Sequence, residues 1–507
     1  MSNSTGDNRA ARSGLIHEIL DGAAAAAPGA TAVRDPHGPW DYARVAALSH
    51  AFARWLSEMN VGRGDRILVL ASSRREIVPV LYGASRVGAV LVPLDPGLKE
   101  FQLRSIIADC RPSLAIGESE GLQAAAAEAR VPTHALDKLW EAVEFFLGDT
   151  AGPPEVTPAD LAIMIYTSGS TAAPKGVMCP HASVVFAASA INEVLGYSSD
   201  DVVLCRLPLA FDYGLYQVLL AGLGHAEIIL SGMESDLLLM RRMREQNVTV
   251  VPVVPSLGTM LTTLARRSPD ATASVRMITN TGAALSASSI DELRGAFPNA
   301  RVVRMYGITE CKRVTIMPPD EEFAHPDSVG RPLPGTRVLI LDDEGVPLPP
   351  HKSGEIAVVG RNVMAGYWRA PEQTERVYRR NASTGEVWMR TGDYGSLDDD
   401  GYLYFEGRRD DMFKRKGTRM STVEIEAAAL DIPGVRAAAV VPPGPGHDLA
   451  LFVESERSPQ EVLREMARRL EPAKVPGICK TVERMPLTRN GKNARGPLAQ
   501  MLEGGAS

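Results

Sequence analysis

The sequence predicts an α/β fold class: a large N-terminal domain of two α/β sheet subdomains plus a small β-barrel-like subdomain, followed by a small mobile α+β domain. Three observations support this prediction. Short apolar runs alternate with amphipathic stretches up to about residue 310, Gly, Pro and short β-like runs dominate residues 325–405, and a basic segment follows from residue 410. Strands that alternate with helices favour parallel sheets packed between helices.

The first α/β unit begins with the amphipathic stretch Asp41–Met59, whose apolar side chains fall on one helical face. Asp41 is a suitable N-cap for this helix. Arg66–Ala71 then has the composition of a buried strand, Ile77–Val87 of a helix and Ala89–Pro93 of a second strand. This order predicts the first of the two sheets.

The same pattern repeats between residues 161 and 304. Six strands are predicted there, at Leu161–Tyr166, Val202–Arg206, Glu227–Leu230, Val248–Val251, Val275–Thr279 and Arg301–Met305. Helices are predicted between them, for example at Asp236–Gln246 and Ser286–Phe297, because their apolar residues recur with helical spacing. A second α/β layer is therefore expected before residue 310.

The last third of the chain changes character. Strand-like runs at Thr336–Leu341, Glu355–Val359 and Tyr402–Phe405 are separated by turn signals, which indicates a small β-rich subdomain. The segment beyond residue 410 combines a helix at Thr422–Leu430, a strand at Arg436–Val441 and a helix at Pro459–Leu470. We therefore predict a flexible start at residues 1–12, a core domain at 13–409 and a mobile C-terminal domain at 410–507.

Charge separates the C-terminal segment from the rest of the chain. The 54 Lys+Arg and 61 Asp+Glu give a net charge of −7, which argues against a dedicated nucleic-acid binder. Residues 407–507 contain 17 Lys+Arg and 13 Asp+Glu, so this segment carries +4 and the remainder −11. The five cysteines form no CxxC pair, a pattern that fits a reducing cytoplasm, and no apolar run is a convincing membrane span.

A run of small hydroxyl and glycine residues, 166–176, follows a predicted strand and precedes the helix expected near His181. Consecutive Gly, Ser and Thr leave backbone N–H groups free to form a nest that suits phosphate oxygens. The run does not satisfy the Walker A spacing. Its predicted phosphate-binding residues are Thr167, Ser168, Gly169, Ser170, Thr171 and Lys175.

Five segments together resemble a known family. They are Tyr166–Gly176, Met305–Glu310 (MYGITE), Arg390–Asp393 (RTGD), Gly407–Arg419 and Pro486–Lys492. In this order they are similar to the signature motifs of the adenylate-forming superfamily, which includes acyl-CoA synthetases, luciferase-like enzymes and the adenylation domains of nonribosomal peptide synthesis. The resemblance covers nearly the whole chain, although Ala172 stands where the family usually has Gly.

The resemblance implies a two-step ligase that depends on ATP and Mg²⁺. A carboxylic acid attacks the α-phosphate and releases pyrophosphate, and a thiol then attacks the acyl adenylate and releases AMP. The expected catalytic residues are Glu310, which would hold Mg²⁺, Thr309 near the α-phosphate, and Lys492, which would bridge the acid and the α-phosphate. Positioned charge of this kind is a large part of catalysis in phosphate chemistry.

The resemblance also implies the nucleotide and acceptor sites. Tyr306, with Gly307 beside it, is expected at the adenine, Asp393 at the ribose hydroxyls and Arg408 at the same sugar or a phosphate. Asp410 would be the hinge about which the C-terminal domain rotates between the half-reactions. The rotation would bring Lys416 and Gly417 to the site as part of a pantetheine tunnel.

The position of the acid pocket also follows from the resemblance. Its expected lining is Asp212, Tyr213, Tyr216, Pro252, Thr279, Thr281, Gly282, Met305, Arg313 and Val314. Asp212 lies in an apolar stretch where a carboxylate needs a partner, so it either pairs with a substrate amine or caps the following helix. Arg313 either pairs with a second substrate carboxylate, faces solvent or binds phosphate.

Three functions remain open at this stage. The first, which Asp212 favours, is an amino-acid (α or β) ligase that loads a separate carrier protein in natural-product biosynthesis, because no carrier module follows Lys492. The second is an acyl- or aryl-CoA ligase. The third is a nucleotide-binding protein without ligase activity. The basic C-terminal segment suits an acidic carrier protein and equally the phosphates of coenzyme A.

Overall fold

The computed structural model describes residues 14–149, 155–167, 174–232, 236–319, 321–380, 386–408, 412–415, 418–444, 447–470, 472, 474–487 and 493–503. The start predicted to be flexible, residues 1–12, lies outside these ranges. The elements up to residue 180 are α1 Ile16–Ala26, β1 Thr31–Asp35, β2 Gly38–Asp41, α2 Tyr42–Glu58, β3 Arg66–Leu70, α3 Ile77–Arg86, β4 Val90–Leu94, α4 Glu100–Cys110, β5 Leu114–Ile116, α5 Glu120–Glu128, β6 Thr133–His134, α6 Leu136–Glu144, β7 Leu161–Thr167 and β8 Lys175–Pro180.

The first sheet has six strands in the order β6-β5-β3-β4-β7-β8. Its pairs are parallel except for β7 and β8, which form an antiparallel hairpin. The N-cap prediction for α2 is confirmed, since Asp41 Oδ1 accepts the backbone N–H of Arg44 at 2.7 Å. The helix predicted near His181 is confirmed and begins at that residue. Strand β8, which lies before this helix, was not predicted, because its short mixed sequence becomes a strand only by pairing with β7.

The next elements form the second sheet and its helices: α7 His181–Leu195, β9 Val202–Cys205, α8 Asp212–Gly224, β10 Glu227–Leu230, α9 Asp236–Glu245, β11 Val250–Val253, α10 Pro255–Ala265, β12 Met277–Asn280, α11 Ala287–Ala296, β13 Arg301–Tyr306, β14 Thr315–Ile316 and β15 Arg331–Pro332, with a 3₁₀ turn at Pro269–Thr272. The sheet order is β15-β14-β13-β12-β11-β9-β10-β1-β2. The pairs from β13 to β1 are parallel. The predicted second α/β layer is therefore present, but the strand predicted for it at Leu161–Tyr166 belongs to the first sheet, where it pairs with β4 and β8.

The second sheet indicates where a ligand is expected to bind. The carboxyl ends of β11, β12 and β13 lie along one edge, because Val253 pairs with Asn280 and Asn280 with Arg304. In parallel sheets, ligands bind at this edge. The largest hydrophobic cluster joins the two sheets and includes Ile163 of β7 and Val203 of β9, with α1, α2, α3, α7 and α8 contributing residues.

The remaining elements are β16 Thr336–Leu341, β17 Gly354–Gly360, α12 Pro371–Val377, β18 Tyr378–Arg380, β19 Val387–Leu397, β20 Leu403–Arg408, β21 Met412–Arg415, β22 Thr418–Ser421, α13 Thr422–Leu430, β23 Val435–Val441, β24 Ala450–Ser455, α14 Pro459–Arg469, β25 Ile478–Thr481 and α15 Arg495–Glu503. Strands β16 to β20 form the expected β-rich unit, a five-stranded antiparallel sheet. Strands β23 to β25 form a separate sheet with its own core, as predicted for an α+β C-terminal unit.

Candidate active site

The β7–β8 hairpin carries the glycine-rich run at its tip. Thr167 and Lys175 are paired where the two strands end, so both predicted phosphate-binding residues flank the tip. Gly176 sits opposite Tyr166 in the register, and a Cβ at Gly176 would lie 2.8 Å from the sulfur of Met164. The hairpin is therefore tightly packed directly before its tip. The other predicted phosphate-binding residues, Ser168, Gly169, Ser170 and Thr171, lie outside the described part of the chain.

The turn after β13 holds the two half-buried residues Thr309 and Glu310. A Cβ at Gly307 would lie 2.0 Å from the carbonyl oxygen of Lys312, so only glycine fits at this position. Lys312 itself has a φ of 63°, in the left-handed region that non-glycine residues rarely adopt. Strain at a buried polar residue is a reason to examine it for function.

Glu310 is fixed by a contact that the sequence did not suggest. The hydroxyl of Tyr367 donates to Glu310 Oε1 at 2.6 Å. The ring of the same tyrosine lies under Lys175, whose Nζ is 5.7 Å from the ring centroid. One side chain therefore contacts both the carboxylate expected to bind metal and the cation at the hairpin tip.

Asp393 is buried between the two units that meet at the edge of the second sheet. Its Oδ2 accepts the hydroxyl of Tyr306 at 2.6 Å, and its Oδ1 is 3.4 Å from Arg408 Nε. Tyr306 also packs against Phe405, with ring centroids 5.3 Å apart. The hydroxyl of Tyr306 thus faces the carboxylate predicted to bind ribose, and the role of its ring at the adenine stays a prediction. Asp393 and Arg408 are neighbours on β19 and β20.

The predicted acid pocket is centred on the first turn of α8. Tyr213 is buried, and its hydroxyl donates to the carbonyl oxygen of Thr279 at 2.7 Å. Tyr216 is also buried, and its hydroxyl has no hydrogen-bond partner among the described residues. Asp212 and Tyr216 are four residues apart and share a helical face. Of the other predicted lining residues, Thr281 is buried with its hydroxyl unpaired within the described structure, Pro252, Met305 and Val314 are buried, and Gly282 is exposed.

Two buried cations flank the tyrosines of this pocket. Arg313 is 5% exposed, its Cζ is 4.7 Å from the ring centroid of Tyr213, and its Nη1 donates to a backbone carbonyl. Lys312 is 2% exposed, with Nζ 5.8 Å from the ring centroid of Tyr216. Within the described ranges neither side chain forms an ion pair, and neither Lys312 Nζ nor Arg313 Nε has a hydrogen-bond partner. Two such cations are costly to bury without an anion.

The charges of the pocket act on one another. Burial raises the pKa of the Cys179 thiol, Lys312 opposes that rise, and Asp212 and Glu310 add to it. Burial likewise raises the pKa of Tyr216, with Asp212 adding to the rise and Arg313 opposing it. These mutual effects place the carboxylates and the cations in one cluster. The Lys312 ammonium interacts with the Cys179 thiol, which is only a weak acceptor, and Cys311 is affected by Lys312 and Glu310 as well.

Asp212 contacts the start of α8, but it is not the N-cap, which was one of its two predicted roles. It is the first residue of α8, after the N-cap Phe211, and its Oδ1 accepts the backbone N–H of Tyr213 at 2.9 Å. One carboxylate oxygen therefore contacts the helix start. Its Oδ2 has no hydrogen bond in the described part of the chain and remains available to a ligand amine.

The predicted residues of the C-terminal part cannot be placed. Lys492, the hinge residue Asp410, and the tunnel residues Lys416 and Gly417 all lie outside the described ranges. Two residues of the site were missed by the sequence analysis, Lys312 and Tyr367. The sequence does contain a signal for Lys312, because Lys312 and Arg313 are two adjacent cations directly before the mostly apolar residues 314–317. No local signal marks Tyr367, which reaches Glu310 from 57 residues away.

Comparison with known proteins identifies the family. A model of the AMP-binding enzyme family matches residues 20–368, which is more than half of the chain. The chain belongs to the AMP-binding enzyme family. The C-terminal domain of AMP-binding enzymes matches residues 424–492. The resemblance to adenylate-forming enzymes is confirmed: the protein is an AMP-forming acid–thiol ligase that uses ATP.

Three relatives show the range of the family around this chain. The structure of VinN has 50% sequence identity and a TM-score of 0.74, with 78% of this chain and 99% of the VinN chain covered. The L-proline–[L-prolyl-carrier protein] ligase of Streptomyces coelicolor is 30% identical over 487 residues, 90% of each chain. 4-Coumarate–CoA ligase 3 of Oryza sativa subsp. japonica is 31% identical over 420 residues, 79% of this chain and 75% of that protein.

The described residues contain no cluster of three or more His, Cys, Asp or Glu arranged to hold a metal ion. No helix in the described ranges combines the length and apolar character that crossing a membrane requires. All five cysteines are free thiols, and four of them are buried.

Proposed function

We propose that this enzyme activates an amino acid that carries a second carboxylate, and transfers the acyl group to the phosphopantetheine thiol of a separate carrier protein. The observation that carries the substrate proposal is the pair of buried, unpaired cations Lys312 and Arg313 beside α8. An uncompensated buried charge costs several kcal/mol. A ligand carboxylate between the two cations would remove that cost and provide selectivity.

Asp212 supplies the complementary charge. It lies one residue before Tyr213 and four before Tyr216, whose rings contact Arg313 and Lys312 respectively. An acid with one amine and two carboxylates can present its amine to Asp212 and its second carboxylate to the cations. The remaining carboxylate would then react with ATP. This arrangement supports the amine-binding role of Asp212 and the carboxylate-binding role of Arg313, and adds Lys312 to the pocket.

Relatives support the same substrate class. Structures of VinN are described as complexes with L-aspartate, at 49% identity to this chain, and with 3-methylaspartate, at 46% identity. Both ligands carry an amine and two carboxylates. The similarity covers 78% and 77% of this chain, respectively. Aspartate-like acids are therefore the first substrates to test.

Mg²⁺ is part of the proposal. Glu310 Oε1 accepts the hydroxyl of Tyr367, whereas Oε2 has no hydrogen bond among the described residues. A carboxylate oxygen of this kind suits Mg²⁺, which commonly takes one or two protein carboxylates together with substrate phosphates. When bound, Mg²⁺ would neutralise charge on the triphosphate. Thr309, Lys175 and Asp393 would bind and orient the nucleotide, and the roles of Lys492 and the hinge Asp410 remain proposals.

Pyrophosphate exchange with a panel of acids tests the substrate class. We expect exchange with L-aspartate and 3-methylaspartate, and a value of kcat/KM at least about 100-fold lower with L-asparagine and with succinate, because each leaves one buried charge unpaired. Exchange that is fastest with a fatty acid or an aryl acid would overturn the proposal. No exchange with any acid would favour nucleotide binding without ligase activity.

Two substitutions test which charged residue of the pocket binds which charged group of the substrate. Asp212→Asn should abolish exchange with L-aspartate, whereas Arg313→Met should remove the preference for L-aspartate over L-asparagine. Arg331→Met is a matched control, because Arg331 also lies over a tyrosine ring, at 4.5 Å from the centroid of Tyr402, but is exposed on the edge strand β15. Its exchange kinetics should equal those of the wild type.

The acceptor is the second part of the proposal. Carrier-protein ligases are among the relatives, and the +4 charge of residues 407–507 suits an acidic carrier. Coenzyme A is the alternative acceptor, favoured by the similarity to 4-coumarate–CoA ligase 3. Transfer to a phosphopantetheinylated carrier should exceed transfer to coenzyme A, and salt should slow it more than it slows pyrophosphate exchange. Faster acylation of coenzyme A would reverse the assignment.

A further inference from the structure

We infer that Tyr367 is a positioning residue for adenylate formation: its hydroxyl fixes the orientation of Glu310, and its ring holds Lys175 at the tip of the hairpin. The inference goes beyond the choice of substrate, and it rests on the metal-binding role proposed for Glu310. Tyr367 belongs to neither the glycine-rich run nor the turn after β13. It reaches both from the segment that leads into the five-stranded sheet.

The hydroxyl of Tyr367 acts as the donor. The Tyr367 side chain is 8% exposed. A phenol is protonated at neutral pH, and Glu310 Oε1 accepts its hydrogen at 2.6 Å. A hydrogen bond to one carboxylate oxygen leaves the other directed elsewhere. Such partners of metal-binding carboxylates set ligand orientation.

The backbone of this segment is pinned to the hairpin. Tyr367 forms an isolated β-bridge with Val177 of β8, and Trp368 donates its backbone N–H to the carbonyl of Gly176 at 2.8 Å. On the other side, the N–H of Met364 donates to the carbonyl of Glu310 at 2.9 Å. The backbone of this segment therefore contacts both the hairpin and Glu310. The side chain of Tyr367 contacts the same two parts of the site.

The ring of Tyr367 also separates two opposite charges. Lys175 Nζ lies 5.7 Å from the ring centroid, at cation–π distance. In the described structure no ion pair joins Lys175 to Glu310. If these two groups paired, the metal carboxylate and the phosphate-binding cation would neutralise each other before ATP arrived. Because Tyr367 contacts each group separately, Glu310 stays available to a metal ion and Lys175 to a phosphate.

The test compares three variants of the full-length enzyme. Tyr367→Phe removes only the hydroxyl, Glu310→Gln removes the proposed metal ligand, and Tyr378→Phe is the matched control. The Tyr378 ring lies 6.0 Å from that of Tyr367, and its buried hydroxyl has no hydrogen-bond partner in the described part of the chain. Mn²⁺ binding in the presence of ATP and without any acid, followed by electron paramagnetic resonance, reports metal affinity independently of catalysis. Thermal unfolding and pyrophosphate exchange complete the comparison.

We expect Tyr367→Phe to weaken Mn²⁺ binding by about 10-fold and to lower kcat of exchange by a similar factor, with KM for the acid unchanged. Tyr378→Phe should match the wild type in both. If Glu310→Gln weakens Mn²⁺ binding and Tyr367→Phe does not, the inference is wrong and the role proposed for Glu310 stands. Unchanged Mn²⁺ binding in Glu310→Gln would instead remove that role, and the inference with it.

A second variant covers the case in which Tyr367→Phe does not fold. Glu310→Asp keeps the tyrosine and shortens the carboxylate, so the 2.6 Å hydrogen bond to Tyr367 is lost or lengthened. We expect a loss of Mn²⁺ affinity comparable to that predicted for Tyr367→Phe. Full Mn²⁺ affinity in Glu310→Asp would overturn the inference.

Discussion

The hydroxyl of Tyr306 donates to Asp393 Oδ2 at 2.6 Å and so joins the end of β13 in the second sheet to β19 in the five-stranded sheet. Burial, followed by the Asp393 carboxylate, raises the pKa of Tyr306, so the phenol remains a donor at neutral pH. The carboxylate proposed to bind ribose is thus oriented by a side chain from another subdomain. The bond therefore connects two residues that are both proposed to bind the nucleotide.

Replacement of Tyr306 by Phe should weaken ATP binding. The substitution removes a hydrogen bond to a buried carboxylate, which contributes about 1.5–3 kcal/mol, and leaves Asp393 free to rotate. We expect the Kd for ATP to rise about 10-fold by calorimetry. Tyr197→Phe removes a comparable buried bond, 2.7 Å to Gln217, and should lower stability without changing the Kd. Equal Kd values in all three proteins would contradict the proposed role.

Removal of the Lys312 charge should separate stability from activity. Lys312→Met keeps the size of the side chain and removes an unpaired buried cation, so the free energy of unfolding should rise by about 1–3 kcal/mol in the absence of substrate. Exchange with L-aspartate should fall by about 100-fold. Urea unfolding with and without L-aspartate measures both effects. A loss of stability in this variant would show that Lys312 has a structural partner.

Glycine is required at position 307 for steric reasons. A Cβ there would lie 2.0 Å from a backbone carbonyl oxygen, so Gly307→Ala must displace the turn that carries Glu310. We expect a loss of stability of about 3 kcal/mol or more and no measurable exchange. Gly295→Ala is the control, because its Cβ would meet nothing within 4 Å in helix α11. That substitution should leave exchange unchanged and slightly raise the unfolding temperature.

Two histidines, the half-buried His17 and the buried His181, predict a loss of stability in acid. Burial lowers the pKa of His17 and of His181 to about 4, with Arg86 adding to the effect on His17 and His17 to that on His181. Below the unfolded-state pKa of about 6.5, the unfolded chain binds protons that the native protein excludes. Stability should therefore fall as pH drops from 6.5 towards 4, by about 2 kcal/mol per histidine at pH 5.

Urea unfolding at pH 7.5 and pH 5.0 measures this dependence. His181 Nδ1 accepts the backbone N–H of Ile16 at 3.3 Å, a bond that requires the neutral ring. In His181→Gln the loss between the two pH values should shrink by about half. The exposed His351, which faces Asp399, supplies the control His351→Asn, whose pH dependence should equal that of the wild type. An unchanged slope in His181→Gln would rule out the histidine explanation.

Local sequence patterns were enough to predict most of the architecture. Helix Asp236–Gln246 and strand Glu227–Leu230 were predicted to within one residue, because their apolar spacing and flanking residues are local. The hairpin β1–β2 and strand β8 were not predicted, since short strands at sheet edges gain their stability from pairing with distant segments. Boundaries of the pocket strands also shifted, as Val248–Val251 became Val250–Val253.

The sequence by itself determined the family, the two-step chemistry and the order of the motifs, because short runs with fixed spacing encode a phosphate nest and its partners. Tertiary structure alone decided which groups meet. It buried Lys312 and Arg313 beside α8 without a carboxylate, turned Tyr306 towards Asp393 and brought Tyr367 to Glu310. The two tyrosine contacts join residues that are 57 or more positions apart in the sequence. The burial of the two cations matters because no carboxylate of the described residues pairs with them. Neither property can be predicted from the spacing of residues within a short segment.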